Sequence, residues 1–125
     1  VYSDINIVGG GLIGAFVACS LSKVGYKITI IEKKQKYKKI DNLDYRTVAI
    51  SEGTKSFLQK LGLWQNINKF AQPIEKIKVI DRSFANTLEF DNSRRKSNLG
   101  YIVKNKELLK VAYENLRSRK NVNYD

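Results

Sequence analysis

The sequence predicts an α/β domain in which a parallel strand–helix–strand unit is followed by an inserted excursion of antiparallel strands. Two observations carry that prediction. Between Asp4 and Glu32, an apolar run of Ile5, Ile7 and Val8 leads into Gly9-Gly10-Gly11-Leu12-Ile13-Gly14. A segment with helical apolar spacing comes next, and then a second apolar run that stops at an acid. Farther along, three short strand-like segments between residues 76 and 103 follow one another without an intervening helix, which implies antiparallel pairing.

The first unit, residues 4–32, has the chemistry to hold a dinucleotide. Gly9 permits a tight turn out of the strand, Gly11 lets a pyrophosphate approach the backbone, and Gly14 lets the helix pack closely on the strand. Gly10, Leu12 and Ile13 belong to the same turn, where the free N–H groups and positive dipole end of the helix face the phosphates. Ala18 keeps the helix–strand contact close, and Gly25 ends the helix before Lys27 to Ile31 return as strand two. Glu32, with Lys33 beside it, lies about 20 residues past the glycines, where an acid accepts hydrogen bonds from a ribose. Its charge disfavours the 2′-phosphate of NADP. The motif alone leaves FAD and NAD both open, and a glycine-rich turn without a ligand is the bland alternative.

Composition narrows the classes. The 125 residues correspond to one domain, and no apolar run approaches the roughly 18 residues of a membrane span. With no signal peptide in view, a cytoplasmic protein is the expectation. The chain has no histidine and one cysteine, which excludes a His/Cys metal site and an internal disulfide. Cys19 sits beside Ala18 on the first helix and reads as a packing residue. The formal charge of +11, from 23 Lys and Arg against 12 Asp and Glu, would suit an anionic partner. The basic residues cluster at Lys33-Lys34, Lys36, Lys38-Lys39, Arg94-Arg95-Lys96, and Arg117, Arg119 and Lys120. They do so without a basic helix or interleaved aromatics, which argues against nucleic acid. A solvated surface explains them, and weak attraction to an anionic membrane surface is the functional option.

After Glu32 a Lys-rich loop extends to Asp44, followed by DYRTVAIS. A helical segment is expected over 51–71. Ser51 caps a helix carrying Phe57, Leu58 and Leu61, Gly62 ends it, and Leu63, Trp64, Ile67 and Phe70 form a short second piece that finishes before Pro73. The antiparallel excursion over 76–103 comprises Ile77, Val79 and Ile80 up to Asp81-Arg82, then Leu88 to Phe90, then Gly100 to Val103. Over 105–125 Asn105 caps a helix with Leu108, Leu109, Ala112 and Leu116 up to about Arg119, and Asn121 to Tyr124 begin another strand.

The order of these landmarks, GGGLIG, IIE, DYRTVAIS, FLQKLGLW, PIEKIKVID and LGYIVKNKELLKV, resembles the amino-terminal part of the flavin-dependent hydroxylases of ubiquinone biosynthesis. These belong to the single-component FAD aromatic monooxygenases. The resemblance implies a Rossmann-like FAD-binding domain, NAD(P)H as reductant, molecular oxygen as co-substrate and an aromatic polyprenyl quinol precursor as substrate. Gly9, Gly11 and Gly14 match the family's phosphate turn and Glu32 its ribose acid. Arg46 falls in the family's D-x-R segment near flavin and pyrophosphate, where a guanidinium can bridge phosphate oxygens; its alternative is a surface ion pair with Asp44 or Asp41. Asn105 stands where relatives often have an arginine, and either contacts the cofactor or caps the helix. Tyr45 replaces a glycine common before that arginine and would crowd the site.

The family's later Asp-Gly and Gly-Asp segments do not occur before Asp125, nor does the part that forms the substrate cavity. The expectation is therefore an amino-terminal portion, truncated before the sheet is complete, with no catalytic residue of its own; the absence of methionine fits a split or decayed gene. In a sheet order 3-2-1-4, the first strand would have one neighbour outside these residues, leaving Ile5, Ile7 and Val8 on an open edge. Two function classes follow. One is an FAD-dependent monooxygenase portion, acting in the cytoplasm or at the inner face of the membrane. The other is a non-catalytic remnant or partner-dependent fragment. An NAD-binding dehydrogenase domain is disfavoured by Arg46 and the antiparallel excursion.

Overall fold

The computed structural model describes residues 2–33, 44–81, 87–94 and 97–125. Residues 34–43 of the Lys-rich loop, Asp41 among them, and Arg82, Arg95 and Lys96 lie outside the described residues.

The apolar run after Asp4 forms β1, Ile5–Val8, and the second run forms β2, Ile28–Ile31. They pair in parallel, with Ile5 opposite Ile28 and Val8 opposite Ile31. Between them runs α1, Leu12–Val24, which ends at Gly25 in the left-handed conformation with φ of 106°. Its buried face is made of small residues, Ala15, Ala18, Cys19 and Ser22. Small side chains let α1 come close to α4, Asn105–Arg117, so that the Cys19 thiol reaches the Ala112 carbonyl at 3.5 Å. That burial pushes the Cys19 pKa up from 9.0 to about 11, which suits packing rather than nucleophilic chemistry.

The chain's last strand, β8 at Val122–Tyr124, pairs in parallel with β2, giving the sheet order β1-β2-β8. Ile28 and Ile30 of the central strand are fully buried. The Asn121 amide helps to hold this register by donating to the carbonyls of Ser22 and Tyr26 at 3.0 and 2.8 Å. Among the described residues β1 is an end strand, and Val8 is 83% exposed.

The middle of the chain forms a second sheet. β3, Thr47–Ile50, leads to α2, Glu52–Leu61, whose first turn is capped by the Ser51 hydroxyl accepting from the Thr54 N–H at 3.2 Å. Gly62 ends that helix, and α3, Trp64–Asn68, follows. Of the apolar residues expected along 51–71, Leu58, Leu63, Trp64 and Ile67 are buried, while Phe57 and Phe70 are each 45% exposed. Pro73 does more than stop a helix, because it lies within β4, Gln72–Ile74. β4 is at the edge of the order β3-β7-β4, where a residue without an N–H is tolerated.

The three strands expected over 76–103 do not form one meander. β5, Lys76–Ile80, and β6, Thr87–Asp91, make a separate antiparallel hairpin. β7, Gly100–Lys104, instead runs between β3 and β4, antiparallel to both. The reason lies in burial. The hairpin strands are exposed along their length and carry ion pairs of Lys76 with Glu89 and Asp91, whereas Gly100, Tyr101 and Val103 of β7 are buried. Apolar β7 gains more from the interior position, against Val48 and Ile50, than from pairing with a solvated hairpin.

Candidate phosphate-binding site

The glycine turn joins β1 to α1. Gly9 has φ of 103°, a conformation that side chains other than hydrogen rarely adopt, so the turn depends on glycine there. Gly14 is required for a different reason, since a Cβ at that position would overlap the Gly9 carbonyl and lie 3.3 Å from Ile7 Cγ2. At Gly11 a Cβ would meet nothing within 4 Å. That residue is the exposed N-cap of α1, and no side chain caps the N–H groups of the first turn. Leu12 is half-buried and Ile13 is 78% exposed, so the helix start is accessible from outside.

Glu32, directly after β2, reaches this turn, where its Oε2 accepts from the Gly10 N–H at 2.7 Å. The carboxylate therefore braces the turn from the second strand while lying at the carboxyl end of the sheet. Lys33 is exposed beside it.

Arg46 and Asn105 are brought together by strand register. Thr47 of β3 lies opposite Lys104 of β7, and one residue farther out the Asn105 N–H donates to the Arg46 carbonyl at 2.9 Å. The Arg46 guanidinium makes a two-point ion pair with Asp44, Nε to Oδ1 and Nη2 to Oδ2, both 2.9 Å, and its side chain is 76% exposed. The hydrogen bond to Asp44 raises its pKa above the usual arginine value. Tyr45 is 73% exposed, and its ring lies 6.0 Å from Lys106 Nζ.

The cap expected of Asn105 is corrected by the structure. Asn105 is the first helical residue, the N-cap of α4 is Lys104, and no side chain caps that end. A side chain one position inside the helix does not reach back to its own N-terminal N–H groups in the manner of an N-cap. Asn105 Oδ1 is instead buried with no hydrogen-bond partner among the described residues. A buried acceptor without a donor costs about 1–3 kcal/mol, which a ligand N–H or O–H would recover.

An apolar cavity of about 460 Å³ lies between α1, β3, α2 and α4, and neither Glu32, Arg46 nor Asn105 lines it. Leu12, Ile13 and Val17 of α1, Val48 of β3, Phe57 of α2 and Leu108 of α4 line it.

One contributor has no counterpart in the sequence reading. Tyr113 of α4 is 2% exposed, and its hydroxyl donates to the Gly10 carbonyl. A signal for it exists, because Tyr113 falls four residues after Leu109 and three before Leu116, on the apolar stripe of the helix. A tyrosine buried on such a face needs a partner for its hydroxyl.

Comparison with known proteins identifies the family. Residues 2–121 match the family described as "FAD binding domain". The ubiquinone hydroxylase UbiL of Rhodospirillum rubrum is 31% identical over 107 residues, covering 85% of this chain and 25% of that protein. The mitochondrial ubiquinone biosynthesis monooxygenase COQ6 of Danio rerio is 32% identical over 124 residues, with 92% and 25% covered. The 3-demethoxyubiquinol 3-hydroxylase of Escherichia coli is 29% identical, with 96% and 32% covered. Among solved structures, p-nitrophenol 4-monooxygenase PnpA of Pseudomonas putida superposes with a TM-score of 0.74 at 22% identity, over 96% of this chain and 30% of that one. PqsL of Pseudomonas aeruginosa, a probable FAD-dependent monooxygenase, gives 0.76 at 15% identity. These structures share the fold. The chain spans about a quarter to a third of the length of the curated relatives it matches.

Proposed function

The chain belongs to the FAD-binding domain family, and from that premise we propose that it forms the adenosine- and pyrophosphate-binding part of a flavin-dependent monooxygenase. The substrate class is an aromatic polyprenyl quinol precursor of ubiquinone, with NAD(P)H as reductant and molecular oxygen as co-substrate. The relatives named ubiquinone hydroxylases support that substrate class. The observation that carries the reading is the open helix start at Gly11, framed by Gly9, Gly14 and Glu32.

In this reading the backbone N–H groups of Gly11, Leu12 and Ile13 receive the pyrophosphate at the positive end of α1, while Gly10, whose N–H is taken by Glu32, shapes the turn. Glu32 accepts from the ribose, with Lys33 beside it. Asn105 offers its buried acceptor to the cofactor, and Arg46 exchanges its ion pair with Asp44 for a phosphate or ring contact. FAD, when bound, supplies the redox chemistry for transfer of one oxygen atom to an electron-rich ring. The chain's own residues bind and orient it, and none is assigned a catalytic role. The charge of +11 favours work at an anionic membrane surface, on its inner face, and no helix among the described residues is long and apolar enough to cross a membrane.

A second reading is favoured by the exposed apolar surface: Val8, Ile13 and Val17 are 83%, 78% and 42% exposed around the end strand and the cavity. Such a surface suits a non-catalytic piece that depends on a partner polypeptide. Gel filtration after incubation with FAD separates the two. Flavin absorbance that travels with the protein, and is reduced by Arg46→Ala, supports cofactor binding by this chain. A colourless peak with native circular dichroism overturns it in favour of the partner-dependent piece.

A further inference from the structure

Gly10 is held from both sides by parts of the chain far from it in sequence. Its N–H is taken by Glu32 from the end of β2 at 2.7 Å, and its carbonyl by the Tyr113 hydroxyl from the middle of α4, 103 residues away. Glycine alone imposes little preference on its own φ and ψ, so these two anchors orient the peptides before and after it. Gly10 is buried, and the space beside it is already taken: a Cβ there would sit 2.5 Å from the Tyr113 oxygen and 3.3 Å from Glu32 Cβ. The tyrosine itself is set in place by helix packing and by the Tyr124 ring of β8, with centroids 6.1 Å apart.

We propose that Tyr113 is a positioning residue for the phosphate turn, which holds the Gly10 carbonyl inward and so aims the Gly11 N–H outward at the pyrophosphate. The step is geometric. In a planar trans peptide the carbonyl and the following N–H point in opposite directions, and no cis bond is present among the described residues. The carbonyl directed at α4 therefore sends the Gly11 N–H away from α4, and Gly11 itself is exposed. Without the hydroxyl, the buried Gly10 carbonyl has no donor from α4, and rotation of the Gly10–Gly11 peptide relieves it by turning that oxygen toward the anion. A donor at the phosphate site is then replaced by an acceptor. Tyr113 touches no ligand in this scheme and acts only through the turn.

This inference rests on the cofactor site proposed above, and ADP and adenosine as probes separate the two. Calorimetric titration of the full chain is expected to show ADP binding about tenfold weaker in Tyr113→Phe than in the unaltered protein. Adenosine, which lacks the phosphates, should bind both within about twofold. A folded Tyr113→Phe chain that loses ADP and adenosine affinity equally, or neither, overturns the positioning role. Should that variant not fold, amide NMR of the unaltered chain decides: addition of ADP must shift the Gly11 N–H more than the Gly10 N–H, which Glu32 already holds. ADP binding with a stationary Gly11 amide overturns the inference. Failure of the unaltered chain to bind ADP overturns the cofactor site and the inference with it.

Discussion

Replacing Gly14 and Gly11 separately by alanine tests whether the two glycines serve different physical purposes. At Gly14 the added Cβ would overlap the Gly9 carbonyl and press on Ile7 Cγ2 at 3.3 Å. The first of these is backbone, so no rotamer change relieves the clash, and α1 must move off the turn. Overpacking of this kind costs about 1–3 kcal/mol, and a domain of this size loses about 4 °C of melting temperature per kcal/mol. The expected fall is about 4–12 °C. At Gly11 the backbone angles, φ −70° and ψ −169°, suit alanine, and its Cβ would meet nothing within 4 Å. Alanine there restricts the unfolded chain, which stabilises by about 0.4–1 kcal/mol, but it is a poorer N-cap than glycine by a similar amount. The net change should be within about 0.5 kcal/mol. FAD binding should suffer in both variants, through a displaced helix in one and a blocked approach in the other. Scanning calorimetry gives the stability and flavin retention gives the binding. Equal losses of stability in the two variants, or an unchanged Gly14→Ala chain, would refute the division of roles.

Three further outcomes follow from single contacts. Ser51→Ala removes the cap of α2 and should cost about 1 kcal/mol in urea unfolding, whereas Asn105→Ala, which removes no cap and deletes an unpartnered buried acceptor, should cost less; a larger loss at Asn105 would contradict the geometry of α4. Burial holds the Cys19 thiol protonated up to about pH 11 in the folded state, while the unfolded chain ionises near 9.0. Its contribution is thus complete below pH 9.0 and falls as pH rises toward 11, so Cys19→Ala should flatten the decline of the urea midpoint over that window. Parallel declines in the two proteins would argue against it. In the Arg46–Asp44 pair the guanidinium is largely exposed and the carboxylate mostly covered, so Asp44→Asn should cost about 1 kcal/mol while freeing the guanidinium. Stronger FAD retention by that variant is the expected result, and weaker retention would speak against a cofactor role for Arg46.

The sequence by itself determined the features that depend on neighbours a few residues apart. The glycine turn, the Ser51 cap, the left-handed end of α1 at Gly25 and the apolar stripe of α4 each follow from local sterics or from helical periodicity. The parallel unit was legible for the same reason, because a strand that passes through a short turn into a helix has few ways to return. Tertiary structure decided what depends on competition between distant partners. β7 could have extended the β5–β6 hairpin by sequence proximity, yet it pairs with β3 and β4, because Tyr101 and Val103 need a buried neighbour and the ion-paired hairpin offers none. That choice also set Asn105 beside Arg46 and placed Asn105 inside the helix rather than at its cap. The Tyr113–Gly10 bond belongs with these, since it exists only once α4 has packed on α1 across 103 residues of chain. Local spacing states what a segment prefers, and the shared interior settles which of the distant partners it meets.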